Sequence, residues 1–216
     1  MPPRRMRQIF LIFSEGETEE AYISFLKQIE HRLPVKLLHH KAILYAAEIN
    51  RRVKTEKIGP DDKITSFLMY DLDVKGNAEK IAACKKLVKD SISIASNPAI
   101  ELWYLLHIKE QNAAISTKNC ITTLMKSEQA WDSYKKGYLS EKQKQQLWDN
   151  RGLASARAKR LPEGENPSSS VFRLIDAIEG SNYQNIKELN KKIAKNPLSI
   201  DNGQQIRETN RTSTRN

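Results

Sequence analysis

The sequence predicts an α/β protein in which a mostly parallel sheet is flanked by helices and followed by a helical C-terminal addition. A continuous apolar run at residues 9–13 predicts a strand that is buried on both faces, and residues 64–70 predict a second buried strand. Each run ends in acidic residues, and apolar positions then recur at helical spacing. Strands that alternate with helices are typical of parallel sheets.

The composition describes a basic and heavily charged chain. Of its 216 residues, 39% are hydrophobic and 29% are charged, and the formal net charge is +10. This length suits one large domain or one domain with a smaller appendage. The excess of cations favours an anionic partner, with nucleic acid as the leading candidate.

The apolar runs of this chain are too short for targeting or membrane segments. The run behind the basic N-terminal residues is shorter than a signal-peptide core, and it leads directly into acids. No run approaches the roughly 18 apolar residues that a membrane span needs. We therefore expect a cytoplasmic protein with no membrane partner.

The cysteines and histidines do not have the spacing of a soft-metal site. Cys84 and Cys120 are far apart and lack ligand neighbours, so we expect small buried side chains rather than a disulfide or a zinc site. His39 and His40 are adjacent in a predicted strand, where they would point to opposite faces and could not easily share one metal.

The first predicted unit is a strand, an acidic turn and a helix. Thr18 is a candidate N-cap, and acids in the first turn that follows suit the helix dipole. The helical pattern ends at Pro34, after which residues 35–38 are a possible strand and residues 42–53 a helix. The turn contains four glutamates: Glu15, Glu17, Glu19 and Glu20.

The second predicted unit has the same order of elements. The strand at residues 64–70 leads into Asp71 and Asp73, which face the same side of an extended chain and can converge on one ion. Gly76-Asn77 then turns the chain into a helix over residues 78–89.

A third strand, at residues 91–95, precedes an apolar helix over residues 99–108. Asn97 is its predicted N-cap, with Pro98 at the first helical position. This helix is apolar nearly all round and must be buried, so Glu101 within it needs a partner, a metal or a raised pKa. The alternative is a glutamate at the rim that caps exposed amides.

The sequence pattern of the C-terminal half predicts helices. We divide the chain into a core over residues 1–110, a helical part over residues 111–196 that packs on the core, and a disordered tail over residues 197–216. A capping-box pattern opens the longest helical pattern. The predicted helices span residues 116–127, 128–134, 140–161, 171–178 and 186–194.

Aromatic and basic side chains alternate in this C-terminal part. Rings can stack on bases while cations bind phosphates, so the cluster suits nucleic acid. It suits equally well a helical pack with a solvated basic edge. The residues are Trp131, Tyr134, Tyr138, Trp148, Arg151, Arg157, Lys159 and Arg160.

The acids that follow the two clear strands point to a metal site. In a parallel sheet both sets emerge at the same edge, so Glu15, Asp71 and Asp73 would meet there, together with Glu19. Carboxylates packed that closely repel one another unless cations lie between them, and hard oxygen ligands select Mg²⁺ or Mn²⁺. In a basic protein, such an ion suits attack on a phosphodiester, most effectively as a pair about 3.5–4 Å apart.

Other chemistries have weaker support in the sequence. There is no GxxxxGK[ST] for nucleotide hydrolysis, no GxGxxG and no serine on an elbow motif. A rival nuclease pattern is Asp61 followed by Asp73 and Lys75, a PD…DxK arrangement. It usually needs two neighbouring strands, and only one strand fits between Asp61 and Asp73.

The order of these motifs resembles a known family. A glutamate after the first strand and an Asp-x-Asp after a later one are similar to the signature of the TOPRIM superfamily. The stretches EGETEEAY, YDLDVKGN, SNPAIELWYLLH and NPSSSV resemble the RloB family of AbiLii-like proteins, over about residues 8–178. The resemblance implies a TOPRIM-like core and a metal-dependent nuclease or toxin-like effector in bacterial phage defence. It also implies a separate ABC/SMC-like ATPase partner.

The resemblance also implies roles for individual residues. Glu15 would be the general acid/base and a metal ligand, Asp71 and Asp73 metal ligands, and Glu19 a ligand of a second metal. A second tier comprises Asn97 and Glu101, for positioning or further ligation, and Lys75, which would contact phosphate or be an ordinary turn lysine.

Three functions remain open on the sequence. The first is an Mg²⁺- or Mn²⁺-dependent nuclease effector that acts on DNA or RNA. The second is a non-catalytic partner or sensor subunit that binds nucleic acid or the ATPase. The third is a phosphoryl-transfer enzyme that acts on small nucleotides.

Overall fold

A computed structural model describes residues 8–29, 35–41, 51, 63–77, 79, 82, 86 and 91–182. Cys84 and the predicted helix over residues 186–194 lie outside these residues, as does the tail over residues 197–216. The helices predicted over residues 42–53 and 78–89 lie almost wholly outside them.

Five strands form one sheet in the order β2-β1-β3-β4-β5. The first four are mutually parallel where they pair, and β5 runs antiparallel to β4. The predicted mostly parallel sheet is therefore confirmed, although β5 was not expected. The strands are β1 (Gln8–Ser14), β2 (Val35–Lys41), β3 (Lys63–Asp71), β4 (Ile92–Asn97) and β5 (Ser168–Ser169).

Helices flank this sheet and form most of the described C-terminal half. The second helix is buried at every position from residue 101 to 107, and it packs against the third and fifth helices. The helices are α1 (Glu17–Gln28), α2 (Glu101–Ile108), α3 (Thr117–Ser127), α4 (Glu141–Asp149), α5 (Arg151–Ala158) and α6 (Phe172–Asn182).

The start of α1 differs from the prediction. The helix begins at Glu17, so Gly16 occupies the N-cap position and Thr18 lies buried inside the first turn. Gly16 makes no side-chain cap, but its carbonyl accepts a hydrogen bond from the Glu20 amide at 3.2 Å. Three glutamates consequently lie in the first turn, where the positive end of the helix dipole favours them.

The predicted N-cap at Asn97 is wrong. Asn97 is the last residue of β4, and its side-chain amide donates to the Gly164 carbonyl at 3.0 Å. The peptide between Asn97 and Pro98 is cis, and α2 begins only at Glu101. Pairing of β4 with β5 extends the strand across the predicted cap, because tertiary pairing overrides the local preference.

Two predicted helices of the C-terminal half also differ. Residues 128–134 contain only a 3₁₀ turn, Gln129–Trp131. The long helix predicted over residues 140–161 is two helices that meet at Asn150. The capping box is confirmed, since Ser140 and Gln143 each bind the main-chain amide of the other.

The hydrophobic core lies mainly on one face of the sheet. Phe10, Ile12 and Phe67 pack there against α1, α2 and the C-terminal helices, whereas Leu11 and Phe13 belong to a smaller cluster on the opposite face. Alternation of side chains along β1 explains why its whole apolar run is buried. Over the described part of the chain, no helix is both long and apolar enough to cross a membrane.

Candidate active site

The carboxyl ends of β1 and β3 lie side by side in the interior of the sheet. Because β1 stands between β2 and β3, successive connections lead to opposite sides of β1. Open α/β sheets bind ligands at such a switch point, outside the carboxyl ends of the strands. Glu15 directly follows β1 and Asp71 is the last residue of β3, so both residues flank this point.

Asn77 connects these two halves of the site. It is only 2% exposed, and its side-chain nitrogen donates to Glu15 Oε2 at 2.6 Å and to the Asp71 carbonyl at 2.8 Å. One buried amide thus holds the Glu15 carboxylate against the end of β3. The sequence signalled Asn77 only as a turn residue after Gly76, so this role was missed.

Glu19 is buried inside the first turn of α1. A Cβ atom at Gly16 would lie only 2.8 Å from Glu19 Oε2, so the glycine leaves room for the carboxyl group. Burial raises the pKa of Glu19 to about 7. The charges of Glu101 and Glu15 add to this rise, whereas a main-chain hydrogen bond and Lys136 oppose it. This carboxyl can therefore both hold and release a proton near neutral pH.

Asp71 carries the larger perturbation. Burial raises its pKa to about 9. Its Oδ1 atom is fully buried and receives no hydrogen bond from the described residues. An oxygen of this kind is costly unless it holds a proton or accepts a cation. Four neighbouring carboxylates add to the pKa rise, and in decreasing order of effect they belong to Glu19, Glu101, Asp73 and Glu15.

Glu101 lies beneath the cluster with none of its surface exposed. Its Oε1 atom accepts a hydrogen bond from the Tyr134 hydroxyl at 3.0 Å and lies 3.4 Å from Lys136 Nζ. Its Oε2 atom is buried without a partner among the described residues. The glutamate is therefore an interior group of the cluster and not a rim residue.

Asp73 lies at the exposed edge of the cluster. Its Oδ2 atom accepts a hydrogen bond from the Thr117 hydroxyl at the start of α3. Its main-chain amide donates to the Pro98 carbonyl at 3.2 Å, which ties this loop to the segment before α2. Asp73 is close enough to raise the pKa of Asp71, although the two side chains differ in exposure.

The remaining second-tier residues are placed differently. Lys75 is exposed in the turn that Gly76 closes with a φ of +84°. The Asn97 side-chain amide donates to the Gly164 carbonyl, and Asn97 does not join the described contacts of the acid cluster. Of the second tier, the structure thus brings only Glu101 into the cluster.

The cluster is not a closed coordination sphere. No three His, Cys, Asp or Glu side chains in the described part of the chain are arranged to hold one metal ion. The donor chemistry nevertheless fits a hard divalent cation, since every candidate ligand is a carboxylate oxygen. The buried, unpartnered oxygens of Asp71 and Glu101 are the two atoms that such an ion would satisfy best.

The aromatic and basic residues of the C-terminal part mostly serve packing. Trp131 and Tyr134 are buried, and the Arg151 guanidinium lies 4.0 Å above the Trp148 ring. Three of the cations pair with acids, in the pairs Arg151–Glu179, Lys159–Asp176 and Arg160–Glu110. Arg157 donates to the Leu106 carbonyl at 2.7 Å. The helical-pack interpretation therefore accounts for this set, with Tyr138 as the exposed exception.

The fold and the site together define an α/β protein with an acidic cluster at the switch point of its sheet. The chain belongs to the family of RloB-like proteins, whose family model matches residues 10–178. A comparison with curated proteins found no match, and neither did one with solved structures.

Proposed function

We propose that this protein is a metal-dependent nuclease of TOPRIM type that hydrolyses phosphodiester bonds in DNA or RNA. One observation carries the proposal. Five carboxylates surround the switch point of the sheet, and one of them, Asp71, is held with a pKa of about 9 in a chain whose net charge is +10. A basic protein that concentrates acids at one point can bring an anionic polymer to a cation-binding site.

The ion that suits these ligands is Mg²⁺ or Mn²⁺. Glu15, Glu19, Asp71 and Asp73 would hold it, and Glu101 would be a further ligand through its buried, unpartnered Oε2 atom. The bound ion would polarise the phosphate and lower the pKa of water. Gathering the carboxylates around it would require side-chain rotation.

The chain's own residues supply the proton chemistry. Glu15 is half-buried and oriented by Asn77, so it can take a proton from an attacking water. Glu19, whose pKa is about 7 without a metal, would release its proton when it binds the ion. Tyr134 donates a hydrogen bond to Glu101 and so orients its carboxyl group.

The first test is cleavage by the purified protein. DNA, total RNA and tRNA are incubated with it, with and without Mn²⁺ and with its ATPase partner present. We expect cleavage with Mn²⁺ only, and a loss of about 100-fold or more for Glu15→Gln, the range that removal of a general acid/base produces. No cleavage by the wild type, or full activity of the variant, would contradict the proposal.

Glu17→Gln is the matched control. Glu17 lies in the same turn and its variant loses the same charge, but its side chain is exposed, whereas Glu15 is half-buried and bound by Asn77. We expect its activity to stay within about twofold of the wild type, because a surface charge is screened by solvent. A loss equal to that of Glu15→Gln would show that net charge, not the site, is responsible.

We also propose that the protein is an effector in bacterial anti-phage defence beside a separate ABC/SMC-like ATPase. Family membership and the absence of a phosphate-loop sequence support this. Phage plating on cells that carry both chains, the chain alone, or the pair with Glu15→Gln tests it. We expect protection only from the intact pair.

A second function is a non-catalytic subunit that binds nucleic acid or senses the partner. Its support is that the described carboxylates form no ready-made metal group. Asp71→Ala and Asp73→Ala would then leave binding and protection intact, whereas the nuclease proposal expects both variants to lose protection.

A further inference from the structure

A tight turn at residues 135–138, the Lys-Lys-Gly-Tyr turn, lies beside the acid cluster. The Tyr138 amide donates to the Lys135 carbonyl at 3.2 Å, and the two residues form an isolated antiparallel bridge. Gly137 has a φ of +74°, which side chains rarely adopt. The turn is therefore a defined structure with a glycine at the position that needs one.

Two contacts fix this turn against the cluster. Lys136 Nζ lies 3.4 Å from Glu101 Oε1, the same oxygen that accepts from Tyr134 just before the turn. On the other side, a Cβ atom at Gly137 would lie 3.1 Å from Glu17 Cβ. The turn thus bridges the buried acid and the first turn of α1.

The outer side of the turn exposes an aromatic ring. Tyr138 is 64% exposed, and Val74 and Leu153 are the other large exposed hydrophobic residues in the described part of the chain. Lys135 and Lys136 are exposed beside it. Packing explains the buried aromatic residues of this region but not Tyr138, because most of its surface is exposed.

We propose that the Lys-Lys-Gly-Tyr turn binds an unpaired stretch of the polynucleotide substrate. Tyr138 stacks on a base, and Lys135 contacts a flanking phosphate, which offsets part of the repulsion between the phosphates and the acid cluster. The identity of the polymer rests on the proposed function. Stacking on one ring requires a base that is free of the duplex, so the turn selects single strands, loops or frayed ends.

The test is binding in the absence of metal, which separates it from cleavage. Fluorescence anisotropy with labelled single-stranded 20-nucleotide DNA and RNA is measured in EDTA. We expect Tyr138→Ala to weaken binding about 5- to 150-fold, the range for loss of one stacked base, and Tyr138→Phe to bind like the wild type. Tyr138→Ala should weaken the binding of a fully paired duplex much less.

Lys135 has a separate signature. We expect Lys135→Gln to reduce the slope of log affinity against log salt concentration by about 0.7, the amount for one phosphate contact on a single strand. Leu153→Ala and Lys142→Gln are matched controls, since both residues are exposed on other elements. Leu153→Ala should change single-strand affinity by no more than about twofold. Lys142→Gln should leave the salt slope unchanged.

The outcomes distinguish the two proposals. If the wild type cleaves but Tyr138→Ala binds and cleaves normally, the turn proposal is wrong and the nuclease proposal stands. If the wild type binds single strands through the turn but never cleaves them, the reverse holds. If the wild type binds no nucleic acid, or if both controls weaken binding as much as Tyr138→Ala, the turn proposal is overturned.

Discussion

Asp71 ends a buried strand with one carboxylate oxygen that no described group bonds. Burial makes this oxygen available to a bound cation. Without a cation the burial is unfavourable, because an isolated charge is poorly solvated there. The residue therefore links stability to the state of the site.

Asp71→Asn tests this link through pH. The pKa of Asp71 is about 9 in the folded chain, against about 3.9 in an unfolded one. The folded chain thus carries an extra proton between these values, and its free energy of unfolding falls as pH rises through that window. In EDTA we expect the wild-type Tm to decline from pH 5 to pH 9, and the variant to decline less and to exceed the wild type at pH 8.

Added Mn²⁺ should reverse the order of the two proteins. The ion replaces the proton at Asp71, so its stabilising effect on the wild type should grow with pH, while the variant should respond weakly. Thermal unfolding with and without Mn²⁺ measures both effects. Parallel pH profiles of wild type and variant would contradict the assignment of Asp71.

The capping box of α4 begins at Ser140, two residues after the Lys-Lys-Gly-Tyr turn. We expect Ser140→Ala to lower the free energy of unfolding by about 1 kcal/mol, because it leaves a helix amide without its partner. Ser133→Ala, at an exposed loop position, should change it by less than about 0.5 kcal/mol. Chemical denaturation measures both, and equal losses would exclude a capping role.

The elements that the sequence predicts best are those whose apolar pattern is self-sufficient. The bounds of β1 and β3 are predicted to within one residue, because short runs rich in apolar and β-branched residues have few alternatives. β5 was missed because Ser168–Ser169 has no apolar signal, and its pairing with β4 alone makes it a strand.

The same distinction holds for the site. Glu15 and Asp71 follow from the rule that parallel strands end at one edge. Tyr134 and Lys136 could not be predicted as partners of Glu101, since their contacts depend on how the C-terminal helices pack on α2.

In the whole molecule, the C-terminal part pairs with the sheet of the core and packs against its last helix. β5 pairs with β4 of the core, and α3 and α5 cover α2. The parts before and after residue 110 are therefore separate in the sequence but share one hydrophobic core.

We therefore expect a fragment that ends at residue 110 not to fold on its own. It would expose the apolar surface of α2, including Trp103 and Leu106, which are fully or almost fully buried in the chain. Circular dichroism and thermal unfolding of the fragment should show no cooperative transition. A chain cut after residue 182 keeps every described contact and serves as the control, and cooperative unfolding of the shorter fragment would contradict the expectation.

The position of Glu101 beneath the cluster has a consequence during protein synthesis. A ribosome completes Glu15, Asp71 and Glu101 before it reaches Tyr134 and Lys136, which hold the buried carboxylate. A nascent chain therefore displays the acids without the residues that organise them. The contacts that hold Glu101 therefore form only after the segment with Tyr134 and Lys136 has emerged.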